Sequence, residues 1–113
     1  MYSEKLFSYG TLQNEEIQVL LFGRILNGYP ACIDGYSLSQ IELVENEKKH
    51  LYPILSKSKN IKDKVCGKVF LVSKKELTKA DEYETEAYAR IKIKLTTELN
   101  PVWVYTSPFD SLS

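Results

Sequence analysis

The sequence predicts an α+β fold: a small mixed, mostly antiparallel β-barrel or curled sheet with two or so helices packed on it. Three observations lead there. β-Rich runs outnumber helical ones by roughly six to two. Residues 88–96 alternate strictly, with Ala89, Ile91, Ile93 and Leu95 on one face and Tyr88, Arg90, Lys92 and Lys94 on the other. The chain, at 113 residues, has the length of one domain with one core. We read 1–106 as that domain and 107–113 as a loose C-terminal tail.

Tyr2 to Tyr9 is short, aromatic and apolar and reads as a first strand, ended by Gly10-Thr11. Asn14-Glu15-Glu16-Ile17 reads as a helix start, with Asn14 as N-cap and two acids suiting the positive end of the dipole. Ile17, Leu20 and Leu21 fall on one face, and Gly23 closes the helix. Strands broken by Gly28, Pro30 and Gly35 are expected from Arg24 to Leu43, among them Tyr36–Leu43. Glu45 to His50 reads as a turn, Leu51–Leu55 as a short strand kept near an edge by Pro53, and Ser56 to Lys64 as a lysine-rich loop. Val65 to Val72 is a strand in which Gly67 marks a bulge or a close backbone approach. Ser73-Lys74-Lys75-Glu76 has the spacing of a capping box, so a second helix starts there, with Leu77, Ala80 and Tyr83 or Glu84 in its apolar spacing. Pro101 to Tyr105 is the last strand.

Composition excludes several functions. Fifteen basic residues balance fifteen acidic ones, so nothing global draws the chain to nucleic acid or an anionic membrane. The longest apolar run, Val19–Phe22, is far too short to span a bilayer. Met1–Leu6 lacks the basic start and long apolar stretch of a signal peptide, so a cytoplasmic protein is expected. Cys32 and Cys66, with no CxxC and one histidine in the chain, do not make a zinc site and read as buried free thiols in a reducing cytosol. His50 sits in a charged run that reads as solvated loop, which disfavours Cys-His and Ser-His catalysis. Chemistry is left to carboxylates, tyrosines, backbone amides and basic side chains.

Two segments stand out. Phe7-Ser8-Tyr9-Gly10-Thr11-Leu12 passes from a strand through a glycine toward a helix N-terminus, where unpaired N–H groups favour an anion. The same pattern also occurs as a plain strand-to-helix turn. The second segment, Asp81-Glu82-Tyr83-Glu84-Thr85-Glu86, holds four acids. A charge run is usually a solvated face, but the helical wheel separates these four. Measured from the core marker Leu77, Glu84 lies within roughly 20°, Asp81 at about 40°, Glu82 at about 140° and Glu86 at about 180°. Glu84 is therefore forced onto the apolar face, where desolvation raises its basicity and suits it to general acid–base work. The plainer alternative pairs it with Arg90 or a lysine. Tyr88 and Arg90 follow on one face of the next strand; that polar face either lines the same cavity with a phenol and a guanidinium or faces water, with Tyr88 read toward the pocket and Lys92 and Lys94 toward water.

Taken together, these segments resemble the gamma-glutamylcyclotransferase-like family. Its Tyr-Gly-Ser/Thr-(Leu or Asn-Leu) motif reads Tyr9-Gly10-Thr11-Leu12 here. Its later Leu-Asp-x-(Tyr/Phe)-Glu-Gly helix end and Tyr-x-Arg read Ala80-Asp81-Glu82-Tyr83-Glu84-Thr85 and Tyr88-Ala89-Arg90. Gly35-Tyr36-Ser37-Leu38, Tyr52-Pro53 and Gly67 also match in order. The resemblance implies a compact mixed β-barrel with a cavity on one side, Tyr9, Gly10, Thr11 and Leu12 holding substrate through backbone amides, Glu84 as acid/base, and Tyr88 and Arg90 in the substrate-binding set. It implies no metal, no cofactor, and a small γ-glutamyl substrate cyclised to 5-oxoproline with release of an amine or amino acid. A monomer or weak homodimer is expected. Two positions depart from the pattern, Ala80 for Leu and Thr85 for Gly. Thr85 strains the turn that aims Glu84 if that turn needs positive φ. It favours the rival reading of a non-catalytic member that binds an amino-acid-like ligand in the same pocket. A second rival, an interaction or nucleic-acid module, rests on Lys57, Lys59, Lys62 and Lys64, a cluster that on a neutral chain is usually solubilising.

Overall fold

In the computed structural model the chain runs β1 (Glu4–Ser8), a 3₁₀ turn (Thr11–Gln13), α1 (Glu15–Phe22), β2 (Gly28–Asp34), β3 (Tyr36–Glu45), β4 (Lys48–Lys57), β5 (Lys64–Val72), α2 (Lys74–Glu84), β6 (Ala89–Ile93) and β7 (Val102–Thr106). The structure describes residues 2–84, 88–95, 98 and 100–106, with the backbone alone at Ile41, Leu43, Glu45 and Tyr52. Thr85, Glu86 and the tail expected over 107–113 lie outside the described residues.

Five strands form one curled sheet in the order β2-β5-β1-β7-β6, and β3 and β4 form a separate hairpin. Every pairing is antiparallel except β1 with β7. Among the described residues the sheet keeps two edges, β2 and β6, so of the two forms expected it is the curled sheet and not a closed barrel. The central strands are apolar on both faces, because each face is covered. Leu6, Phe70 and Tyr105 point into one cluster with Leu12, Leu77 and Ala80, on the helix side. Their chain neighbours Phe7, Val69 and Val104 point the other way, onto Tyr36 and Leu55 of the hairpin. Burying each such Leu, Val or Phe contributes about 1.5–3 kcal/mol.

Local chemistry sets the element ends. Asn14 Oδ1 accepts from the Glu16 and Ile17 amides at 2.8 and 3.2 Å, and Gly23 closes α1 at φ 73. Ser73 and Glu76 exchange the two bonds of a capping box, Glu76 N–H to Ser73 Oγ at 3.2 Å and Ser73 N–H to Glu76 Oε1 at 2.9 Å. Glu76 also takes Arg24 in a two-point pair at 2.8 and 2.9 Å, which ties the start of α2 to the chain after α1. Gly67 is a site of close approach: a Cβ there would lie 2.1 Å from the Ser8 carbonyl oxygen. Only glycine lets β5 run this near the end of β1.

Three expectations change. The turn at Glu45–His50 shrinks to Asn46 and Glu47, both left-handed at φ 50 and 64, and the flanking strands lengthen to Glu45 and from Lys48. Two consecutive positive-φ residues match the twist of a tight hairpin, and His50 falls inside β4. In α1, Leu20 is 83% exposed while Gln18 is buried. The Gln18 amide donates to the Leu12 carbonyl at 2.8 Å and accepts from the Leu26 N–H at 2.9 Å, so two backbone groups turn the polar residue inward. Lastly, Cys32 and Cys66 are not free thiols: they face each other in the β2–β5 register and are joined as a disulfide, with Cys66 on the exposed face. No helix among the described residues is long and apolar enough to cross a membrane.

Candidate functional site

The site is assembled where β1 ends, α2 ends and the edge of the hairpin comes down on the sheet. After Ser8 the chain turns through Gly10 into the 3₁₀ turn. The Gly10 N–H is used locally by Ser8 Oγ at 3.3 Å, and its carbonyl takes the Gln13 N–H at 3.1 Å. The Thr11 and Leu12 N–H groups precede the first bond of the turn and have no partner among the described residues. Leu12 is buried and anchors the loop in the helix-side core.

Glu84 is the last residue of α2. Leu77 and Ala80 press the same helix onto the sheet, so the wheel argument holds in three dimensions: Glu82 is exposed and Glu84 is half-buried. Beside it, the Tyr83 hydroxyl lies 3.0 Å from Thr11 Oγ1 and ties the helix end to the loop. Among the described residues, no hydrogen bond or ion pair reaches the Glu84 carboxyl. Burial alone pushes it up to about 7, because leaving water disfavours the charged form.

Two tyrosines wall this corner and grip one strand edge. The Tyr9 hydroxyl donates to the Tyr105 carbonyl at 2.7 Å and accepts from the Leu55 N–H at 3.2 Å. Tyr88 donates to the Pro53 carbonyl at 2.8 Å. Pro53 and Leu55, two residues apart on β4, turn their backbone groups to the same outer edge. Burial above all pushes the Tyr9 phenol upward, against the Leu55 N–H, with Tyr88 and Glu84 adding to the rise. Tyr105 is likewise raised, first by burial, then by its bond to Asp81, and the Glu84 charge reaches it too. Glu84, Tyr9, Tyr88 and Tyr105 therefore share one neighbourhood, and burial keeps the Tyr9 and Tyr105 phenols protonated.

Arg90 stands apart from the other expected site residues. Its Nε and Nη2 donate to the two Asp81 oxygens at 2.6 and 2.9 Å, and its guanidinium lies 4.2 Å from the centre of the Trp103 ring. Asp81 Oδ1 also accepts from the Tyr105 hydroxyl at 2.7 Å. Burial pushes the Asp81 carboxyl up, but these bonds outweigh it and hold it below its usual value. The guanidinium expected in the substrate-binding set is engaged by Asp81. Tyr105 gave no signal in the sequence, since it meets Asp81 only through the pairing of β6 with β7. Lys57, Lys59, Lys62 and Lys64 are exposed around the β4–β5 connection. No cluster of three metal-ligating side chains occurs among the described residues.

Against known proteins, the family model described as gamma-glutamyl cyclotransferase, AIG2-like, matches residues 6–111. No curated protein matches the chain. The solution structure of At3g28950.1 from Arabidopsis thaliana superposes at a TM-score of 0.75 with 24% identity, over 95% of this chain and 63% of that one. That of At5g39720.1 from the same plant gives 0.68 and 24%, over 96% and 70%. A gamma-glutamyl cyclotransferase structure gives 0.73 and 18%, over 92% and 66%. At these identities the likeness is one of fold, and this chain spans about two thirds of the length of the solved structures it resembles.

Proposed function

We propose that this chain, which belongs to the AIG2-like gamma-glutamyl cyclotransferase family, cyclises a small γ-glutamyl substrate to 5-oxoproline and releases an amine or amino acid. The observation that carries the reading is the Glu84 carboxyl: half-buried, without a paired cation among the described residues, and poised at about 7. The reaction is intramolecular aminolysis. Glu84 takes a proton from the substrate's α-ammonium, and the amine so formed attacks the γ-carbonyl carbon. Glu84 then passes the proton to the leaving nitrogen as the C–N bond breaks, and the second proton shed by the attacking nitrogen departs with the released amine as its ammonium. Nucleophile and electrophile belong to one molecule, so holding the folded substrate can lower the barrier by up to roughly 7–11 kcal/mol. The Thr11 and Leu12 amides are assigned the α-carboxylate or the developing oxyanion, with Gly10 allowing the approach. Tyr9 and Tyr88 act as walls whose hydroxyls are already engaged.

The test is to offer the purified chain γ-glutamyl amines, γ-glutamyl dipeptides and glutathione and to quantify 5-oxoproline. Wild type should release it, and Glu84→Gln should lose about 10²–10⁴-fold with its fold intact. Glu82→Gln, on the exposed side of the helix, should behave as wild type. Ordinary turnover in Glu84→Gln overturns the mechanism. A wild type that binds these compounds without cyclising any of them supports a non-catalytic member instead.

A further inference from the structure

Tyr83 and Glu84 are successive residues at the end of α2 and leave the helix about 100° apart. Glu84 turns inward. Tyr83 is 37% exposed and reaches across to the loop after β1, where its hydroxyl lies 3.0 Å from Thr11 Oγ1. The residues on either side of Thr11 are fixed from nearby. Gly10 is held by Ser8 Oγ and by the backbone and side-chain amides of Gln13. Leu12 is held by burial and by the Gln18 side chain on its carbonyl. Thr11 gives its carbonyl to the Asn14 N–H and keeps its side chain exposed. These local bonds set the shape of the loop. The Tyr83 bond sets where the loop stands against α2, and it does so at the residue that precedes Glu84.

That relation matters for a γ-glutamyl substrate, whose α-ammonium and α-carboxylate sit on one carbon. The group that takes the ammonium proton and the donors that hold the carboxylate must keep a short, fixed spacing. We propose that Tyr83 is a positioning residue: its hydroxyl latches Thr11 to the end of α2 and so sets the Thr11 and Leu12 amides to hold the substrate's α-carboxylate while Glu84 serves the ammonium on the same carbon. The proposal rests on the reading of this corner as a γ-glutamyl site, and one arm of its test needs no ligand. The bond is neutral and open to water, so its loss should cost what one such bond is worth, roughly 2- to 12-fold in affinity. The carboxylate is charged throughout the reaction and is held equally in ground state and transition state. The loss therefore falls on KM and not on kcat.

The first arm is 15N relaxation at Thr11 and Leu12 in the free protein. Wild type should show the order parameter of rigid backbone, about 0.85, and Tyr83→Phe and Thr11→Val a value approaching about 0.6. Thr11→Ser keeps the hydroxyl and should keep the loop rigid. Unchanged order in Tyr83→Phe overturns the latch. The second arm uses 5-oxoproline, whose carboxylate is the substrate's α-carboxylate, as a calorimetric probe, together with the γ-glutamyl compound turned over fastest. Tyr83→Phe should weaken 5-oxoproline binding and raise KM by the same roughly 2- to 12-fold. Its kcat should hold, and so should the midpoint of its pH profile at about 7. Tyr83→Phe combined with Thr11→Val should lose no more affinity than Tyr83→Phe alone, because both remove the same bond. Unchanged affinity in Tyr83→Phe overturns the proposal. A fall in kcat with KM unchanged, or a shifted midpoint, also overturns it, since Tyr83 would then act on Glu84 and not on the loop. If the loop loosens as expected while wild type neither binds 5-oxoproline nor cyclises any γ-glutamyl compound, the latch stands and the γ-glutamyl reading falls.

Discussion

The Tyr9 hydroxyl joins strands from two separate sheets: it donates to the Tyr105 carbonyl on β7 at 2.7 Å and accepts from the Leu55 N–H on β4 at 3.2 Å. Tyr9→Phe keeps the ring but leaves the Leu55 N–H, in a fully buried residue, without its acceptor. An unpartnered buried donor costs about 1–3 kcal/mol. Urea unfolding should show a loss of that size, with hydrogen exchange at Leu55 accelerated more than exchange at Phe7. A loss well below it would mean that the Tyr9 hydroxyl contributes little to holding the hairpin on the sheet.

The Cys32–Cys66 bond closes a loop of 34 positions between the edge strand β2 and its neighbour β5. The chain-entropy argument gives a stabilisation between about 3 and 4 kcal/mol for a loop of this size. Reduction, or Cys32→Ala with Cys66→Ala, should lower the unfolding free energy by about 2–4 kcal/mol and leave the β1–β7 core in place. Equal stability of the oxidised and reduced chains would contradict this.

Glu84 also imposes a pH dependence on stability. Its carboxyl titrates at 4.5 when solvated and at about 7 in the fold, so the folded state binds the proton more tightly than the unfolded state. Stability from this group is complete below 4.5 and is lost as pH rises through about 7, by up to roughly 3 kcal/mol. Glu84→Gln cannot ionise. It should match wild type in acid and exceed it in stability above neutrality, as read by thermal unfolding across pH. A wild type that gains stability over that interval relative to Glu84→Gln would show a paired carboxylate in the fold.

Much of the site was legible because it depends on local spacing. The wheel drawn from Leu77 put Glu84 inward and Glu82 outward, and the glycine after β1 marked the loop. The capping box placed the start of α2, although the sequence did not show that Glu76 also binds Arg24. What escaped depends on contacts between distant segments. Apolar spacing put Leu20 inward, yet the Leu12 carbonyl and Leu26 N–H claim Gln18 and turn α1. The two cysteines meet only because β2 and β5 are neighbours in one particular register. Arg90 was read on one face with Tyr88, but its tie to Asp81 is completed by Tyr105 and Trp103 on β7, which local spacing does not bring to it.

The most direct measurement of the central claim is the pH dependence of kcat/KM for whichever γ-glutamyl compound is turned over fastest. A base that must first lose its proton makes the rate rise with pH and level off near the midpoint of the free protein. For Glu84 that rise should be centred at about 7 and be absent from the residual rate of Glu84→Gln. A profile flat through neutrality, or the same rise in Glu84→Gln, would contradict the account.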